Sequence, residues 1–305
     1  MIKVVYIAGY NRSGSTLLDR MLGQVEGYVS VGEVRQIWAR GLAQDQACGC
    51  GVPFQRCQFW RAVLQQAYGP LDPDRVARML RLARSVACIR TVPQLAWPRL
   101  RTAAYARRFQ EFAGALEQLY GSIHQVGGGR IIVDSSKSPS YCLLLAQMPF
   151  LELYIVHLVR DSRAVAYSQQ RPKRKPEIYW ADQRMKVMGP SRTAFTWVLT
   201  NALLHLLERH PHYLRVKYED FASNPRETVI RIAAASGHYP DTLPFLKERS
   251  VWLGEAHTVS GNPIRFEQGW MKVAPDLEWQ DKLDKAHRRL VSAVTAPLLL
   301  KYGYL

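Results

Sequence analysis

The 305-residue chain carries 41 Lys and Arg against 25 Asp and Glu, a formal charge of +16, with 48% hydrophobic and 22% charged residues. That is the balance of an ordinary globular protein of one or two folded units. No run reaches the ~18 apolar residues of a membrane-spanning helix, and the five cysteines are an odd number for a disulfide framework. The positive surplus favours polyanions, anionic membrane surfaces or multiply phosphorylated small molecules, without choosing among them. Residues 2–8 are too short for a signal-peptide core and run directly into a glycine-bounded loop. The expectation is a soluble, cytoplasmic protein whose basic face allows peripheral membrane contact.

In chain order, residues 3–8 read as a buried strand, 9–16 as a loop and the stretch from Thr16 as a helix. Cys48-Gly-Cys50 and Cys57 follow. A zinc site wants four ligands and no nearby His completes this one, so the cluster reads as a structural or redox-labile loop with no metal. Helices with Arg-rich faces are predicted over 59–68, 73–90 and 101–125. After Gly127-Gly-Gly129 the strand–helix grammar returns: strand 130–134 with a helix from Pro139, strand 153–159 with a helix to about Gln170, and strand 213–217 with a helix over 225–236. Residues 171–190 read as a basic, mobile surface loop. Short apolar strands alternating with helices predict an α/β fold: a P-loop-type parallel sheet flanked by helices on both faces. The expected organisation is a single domain over 1–305, with a helical insertion at about 40–129 over the carboxyl edge of the sheet, where ligands bind in such folds.

Two motifs carry chemistry. Gly9 to Thr16 matches G-x-x-x-x-G-x-[ST], a spacing that presents backbone N–H groups and a helix N-terminus to phosphate oxygens. Asn11, Arg12, Ser13, Gly14, Ser15 and Thr16 are its candidate contacts. Ser15 stands where a nucleoside-triphosphatase has its Lys, and a cation, Arg12, lies inside the loop instead. The second motif runs from Arg160 at a strand end to Ser168 in the following helix. Arg160, Arg163 and Ser168 are placed to converge on a second phosphate, with Arg supplying bidentate bonds.

Taken together, Arg12-Ser-Gly-Ser-Thr16 and Arg160…Ser168 resemble the two donor motifs of sulfotransferases, enzymes that use adenosine 3′-phosphate 5′-phosphosulfate (PAPS). The Arg-Ser-Gly form of the loop is similar to that of tyrosylprotein and bacterial members. The resemblance implies that the loop grips the 5′-phosphosulfate, that Arg160 and Ser168 grip the 3′-phosphate, and that the product is adenosine 3′,5′-bisphosphate. Further echoes are Val216-Lys-Tyr-Glu-Asp220 and Ser260-Gly-Asn-Pro-Ile-Arg-Phe266, and family members cover the nucleotide with such a C-terminal loop, which makes Asn262 and Arg265 candidate nucleotide contacts.

For the reaction itself, a partly desolvated Glu33 is placed to take the proton of an acceptor hydroxyl, in a position resembling the general base of tyrosylprotein and heparan sulfotransferases. Lys137, with Pro139 and Tyr141, resembles the Lys-x-Pro-x-Tyr segment of heparan sulfotransferases and is placed, with Arg12, to stabilise charge on the transferring group. His157 reads as core, and His257 as a weaker base candidate than Glu33. The implied reaction is sulfuryl transfer from PAPS to a hydroxylated small molecule, glycan or lipid, with Trp38, Trp60, Trp97, Tyr105 and Trp180 as candidate pocket aromatics and no nucleic acid as partner. The alternatives are a P-loop kinase or NTPase, and a non-enzymatic polyanion-binding protein.

Overall fold

The computed structural model describes all 305 residues. It opens with β1 (Ile2–Gly9), α1 (Ser15–Leu22) and β2 (Tyr28–Gly32). The insertion follows as α2 (Gln58–Tyr68), α3 (Pro73–Val86), α4 (Val92–Ala96) and α5 (Ala103–Val126). Its long helices start where a side chain caps them: Asp72 accepts from the Arg75 amide ahead of Pro73, and Thr102 accepts from that of Tyr105. Next come β3 (Ile131–Lys137), α6 (Pro139–Leu145), β4 (Leu151–Val159), α7 (Ser162–Gln170), α8 (Pro190–Leu204), β5 (Tyr213–Lys217), α9 (Tyr218–Ser223) and α10 (Pro225–Ala235). The chain closes with three short antiparallel strands, β6 (Leu246–Lys247), β7 (Ser250–Leu253) and β8 (Gly269–Lys272), then α11 (Trp279–Lys282) and α12 (Lys285–Tyr302). No helix is long and apolar enough to cross a membrane.

The five long strands form one parallel sheet in the order β2-β3-β1-β4-β5. β1 lies at its centre, and its alternating side chains divide the core. Val4, Tyr6 and Ala8 pack with the insertion and α6 on one face. Val5 and Ile7 pack with α1, α10 and the small antiparallel sheet on the other. The insertion is therefore one of the two helical layers, and it is the Cys48–Cys57 loop at its start that reaches the carboxyl edge, where the Gly49 amide bonds to the Thr258 carbonyl.

Several elements went unread in the sequence for identifiable reasons. β2 is an edge strand of five residues interrupted by Ser30. The buried stripe of α8 includes Thr193 and Asn201, and that of α12 includes Thr295, with Pro297 inside the helix, so hydropathy does not outline either. Residues 171–190 lie on the surface as expected, but an Arg174–Arg184 bridge and flanking backbone bonds tie them into an irregular hairpin.

Register sets the site. Ala8 of β1 pairs with Lys137 of β3, and Gly9 pairs with Leu158 of β4, so the loop after β1 starts level with the ends of its neighbours. Gly9 has φ 146°, and a Cβ there would lie 2.3 Å from the Leu158 carbonyl oxygen. Gly9→Ala is expected to cost about 2 kcal/mol or more, measured as a lower urea midpoint with an unchanged slope.

Candidate active site

The loop between β1 and α1 turns through Arg12 at φ 68° and Gly14 at φ 86°. Two amides of the first helical turn, those of Leu17 and Leu18, share the Gly14 carbonyl, and Ser13, Ser15 and Thr16 are buried beside them. Asn11 is exposed at the loop's rim. From the end of β4, Arg160 reaches across: one terminal nitrogen donates to the Arg12 carbonyl at 2.9 Å, the other pairs with Asp276 at 3.1 Å, and the guanidinium lies over the Tyr218 ring. Three buried polar atoms here have no partner: Arg12 Nη1, Ser13 Oγ and Arg160 Nε. Burial, and after it the neighbouring Arg160, lowers the pKa of the Arg12 guanidinium. Lys173 is also lowered, by burial first and then by Arg12. Neighbouring cations with donors left over have the chemistry to hold an anion with several oxygens. The expected loop–Arg160 pair is thus brought together, and the unpartnered donors fit a phosphate or phosphosulfate group.

Arg163 goes elsewhere. Its guanidinium pairs with Asp161 at 2.6 Å, donates to the Tyr304 carbonyl and lies over Trp279, so it braces the start of α7 and does not join Arg160. Ser168 is half-buried further along the same helix.

The ends of β2 and β3 supply a second cluster. Lys137 Nζ is 2.5 Å from Glu33 Oε1 and 3.2 Å from the Ser135 carbonyl, and both charged residues are 8% exposed. Lys137 sits at φ 65°, a left-handed conformation rarely adopted by a side chain of its kind. What holds it there is a buried network: Asp134 accepts from the Ser136 amide, the Ser136 hydroxyl and the Tyr120 hydroxyl, and Ser136 Oγ in turn accepts from the Arg35 amide beside Glu33. Burial pushes the Asp134 carboxyl up to about 6 despite these donors. Tyr141 is also buried and within 3.3 Å of Tyr120, so it belongs to this supporting network. Asp19, on α1, was not singled out by the sequence. Burial raises its carboxyl to about 7, it accepts from Ser30 at 2.6 Å, and its other oxygen has no partner. Its only sequence signal is being the lone acid in the apolar run of α1.

A C-terminal segment covers both clusters. The Asn262 amide donates to Thr16 Oγ1 at 3.1 Å, Arg40 bonds Ser260 Oγ at 2.6 Å, and Arg20 fixes the carbonyls of Ile264 and Glu267. Arg265 corrects an expectation. It is 1% exposed, with its terminal nitrogens on the Thr258 and Ala47 carbonyls at 2.6 Å each, so it straps this segment to the insertion and is not free to contact a nucleotide. Burial lowers it to about 10. His157 is core as expected, bonded to Asn201 and Tyr213 and pushed down to about 4 by burial. His257 lies with the cysteines, not at the Glu33 cluster.

Residues 5–239 match the model of the sulfotransferase family. The chain belongs to that family. Among solved structures, the sulfotransferase domain of the Synechococcus PCC 7002 olefin synthase is similar at 19% identity and a TM-score of 0.54, over 95% of this chain and 94% of that one. The sulfotransferase domain of the curacin biosynthetic pathway is similar at 16% identity and a TM-score of 0.50, over 97% and 98%. At these identities the likeness concerns the fold. No curated protein matches the chain in sequence.

In this sulfotransferase the covering segment also borders a cleft of about 860 Å³, closed on its far side by the hairpin of residues 173–182 and lined by Lys173, Lys175, Tyr179, Trp180, Asn262 and Ile264. Of the candidate pocket aromatics, Trp180 borders this cleft and Trp97 a smaller one of about 280 Å³, while Trp38, Trp60 and Tyr105 are buried in the core. Because the unpartnered donors need an anion, inorganic pyrophosphate is expected to raise the melting temperature by about 3–6 °C at saturating concentration. Arg12→Ala and Arg160→Ala are each expected to remove at least half of that rise. An equal rise in both variants would place the anion elsewhere.

Proposed function

We propose that this sulfotransferase moves a sulfuryl group from PAPS to a hydroxyl of a small-molecule, glycan or lipid acceptor, in line and with Glu33 as general base. The observation that carries the reading is the buried Glu33–Lys137 ion pair at strand ends level with the loop holding the unpartnered Arg12 and Ser13 donors. The 5′-phosphosulfate is held by the loop residues 11–16, and the 3′-phosphate lies toward Arg160 and Ser168. The acceptor oxygen forms its bond to sulfur as the bridging S–O bond breaks, and adenosine 3′,5′-bisphosphate leaves with the bridging oxygen's electron pair. The acceptor proton goes to Glu33. Lys137 exchanges its contact with Glu33 for the bridging oxygen, which frees the carboxylate as charge builds on the leaving group. Arg12 stabilises the sulfuryl oxygens, and the protein's own cations do this work.

Two features support this division of labour. Lys137 is held in a left-handed conformation by a network that does not involve Glu33's carboxylate, so its backbone stays in place while its ammonium changes partner. The acceptor enters from the cleft beside Trp180 and Tyr179, whose rings and neighbouring lysines select its shape and charge.

The test is transfer of labelled sulfate from PAPS to a panel of hydroxylated metabolites, glycans and lipids. Glu33→Gln is expected to lower kcat by about 10²–10⁴-fold while adenosine 3′,5′-bisphosphate binds as in the wild type. Retention of more than a tenth of the wild-type kcat would remove Glu33 as the base.

A further inference from the structure

Cys48, Cys50, Cys57 and His257 bring one ligand atom each to within 4.8 Å of one another. The three cysteines come from the loop at the start of the insertion, and the histidine from the covering segment 200 residues beyond Cys57. Two of the separations are 3.7 Å, between the sulfurs of Cys50 and Cys57, and 3.4 Å, between Cys57 Sγ and His257 Nδ1. Zinc bonds of ~2.3 Å to sulfur and ~2.0 Å to nitrogen at tetrahedral angles require edges of about 3.8 Å and about 3.5 Å. Both observed edges lie close to those values, and no separation among the four ligand atoms exceeds 4.8 Å.

The surroundings hold the four groups in place. The Gly51 amide bonds to the Cys48 carbonyl and the Cys48 amide to the Val52 carbonyl, which closes a tight turn around Cys50. A Cβ on Gly49 would lie 2.3 Å from Thr258 Oγ1 and 2.5 Å from the Ala256 carbonyl, so only glycine lets the two segments meet here. Phe59 stacks on the His257 ring at 5.2 Å, and Trp60 Nε1 donates to the His257 carbonyl at 2.8 Å. Cys48 and Cys57 are buried, Cys50 and His257 half-buried. The sequence expectation that no histidine completes the cluster is thereby overturned: the fourth ligand is adjacent in space and distant in sequence.

We infer that Cys48, Cys50, Cys57 and His257 form a closed structural site for a zinc ion, which staples the insertion to the segment covering the donor loop. Four protein ligands leave no open position, so the ion's part is structural. The segment it anchors continues through the Arg40 bond to Ser260 and the Asn262 bond to Thr16 at the start of α1. Loss of the ion therefore releases the cover of the donor loop, while Arg12, Arg160 and Glu33 stay on the sheet edge.

The experiment is elemental analysis of the full chain purified under reducing conditions, followed by exchange with Co²⁺ alone. One zinc per chain is expected, and the cobalt form is expected to show the intense visible bands of a tetrahedral thiolate site. Cys57→Ser and His257→Ala are expected to weaken zinc at least tenfold in competition with a chromophoric chelator, and His257→Cys to retain it. Chelation is expected to lower the melting temperature and to speed amide exchange in residues 256–262. A wild-type chain with substoichiometric zinc and the pale spectrum of octahedral Co²⁺ would overturn the inference, as would a Cys50–Cys57 disulfide in the reduced-purified protein. These readouts do not depend on PAPS, so they separate the zinc site from the proposed reaction.

Discussion

The Arg160 guanidinium bonded to the backbone of a tight loop that carries a second buried arginine, Arg12, imposes the constraint from which the rest of the site follows. Arg160 donates to the backbone of Arg12 and pairs with Asp276, and the side-chain donors of both arginines stay partly unpartnered. Such an arrangement is unfavourable in isolation, since burial of like charges is repaid only by opposite charge and hydrogen-bond acceptors. The fold sustains it by placing β1 and β4 side by side, so that the loop and Arg160 emerge from neighbouring strand ends. A helix N-terminus and the unpartnered donors of Arg12, Ser13 and Arg160 then lie along one edge, where a ligand with several anionic oxygens can satisfy them.

The same edge carries a charge pair of opposite logic. Glu33 and Lys137 neutralise each other across the ends of β2 and β3. Their placement depends on Asp134, Ser136 and Tyr120, which fix the end of β3 from beneath. Parallel topology explains why four separate segments can cooperate: each strand delivers its C-terminal residues to one edge, and that edge is a groove because helices cover both faces. The covering segment, strapped by Arg20, Arg40 and Arg265, supplies the remaining wall.

What could be read in the sequence was local, and what could not was long-range or polar. β1, β3 and β4 stand out because burial on both faces gives them apolar runs, and the half-buried edge strand β5 is legible from Tyr213, Leu214 and Val216, whereas β2 is short and split by Ser30. The loop Gly9–Thr16 is legible because its glycine spacing lies within eight residues, and Arg160 because it ends an apolar strand. Glu33 and Lys137 could each be chosen by context, but their pairing spans 104 positions and emerges only from strand order. Arg265 was a candidate nucleotide contact through the resemblance of its loop to the family's C-terminal cover; its burial against carbonyls shows the limit of reading an arginine without its surroundings. The histidine beside the cysteine cluster was hidden because it lies 200 residues from Cys57, and Asp19 and Asp134 because nothing in their local spacing marks a buried carboxylate.

The most direct test of the two-cation site is isothermal titration of the full chain with adenosine 3′,5′-bisphosphate and, separately, with AMP at the same ionic strength. A site in which Arg160 and the loop hold two separate phosphates binds the bisphosphate at least about tenfold more tightly, a difference of about 1.4 kcal/mol. Equal affinity for the two nucleotides, or binding of neither, would contradict it.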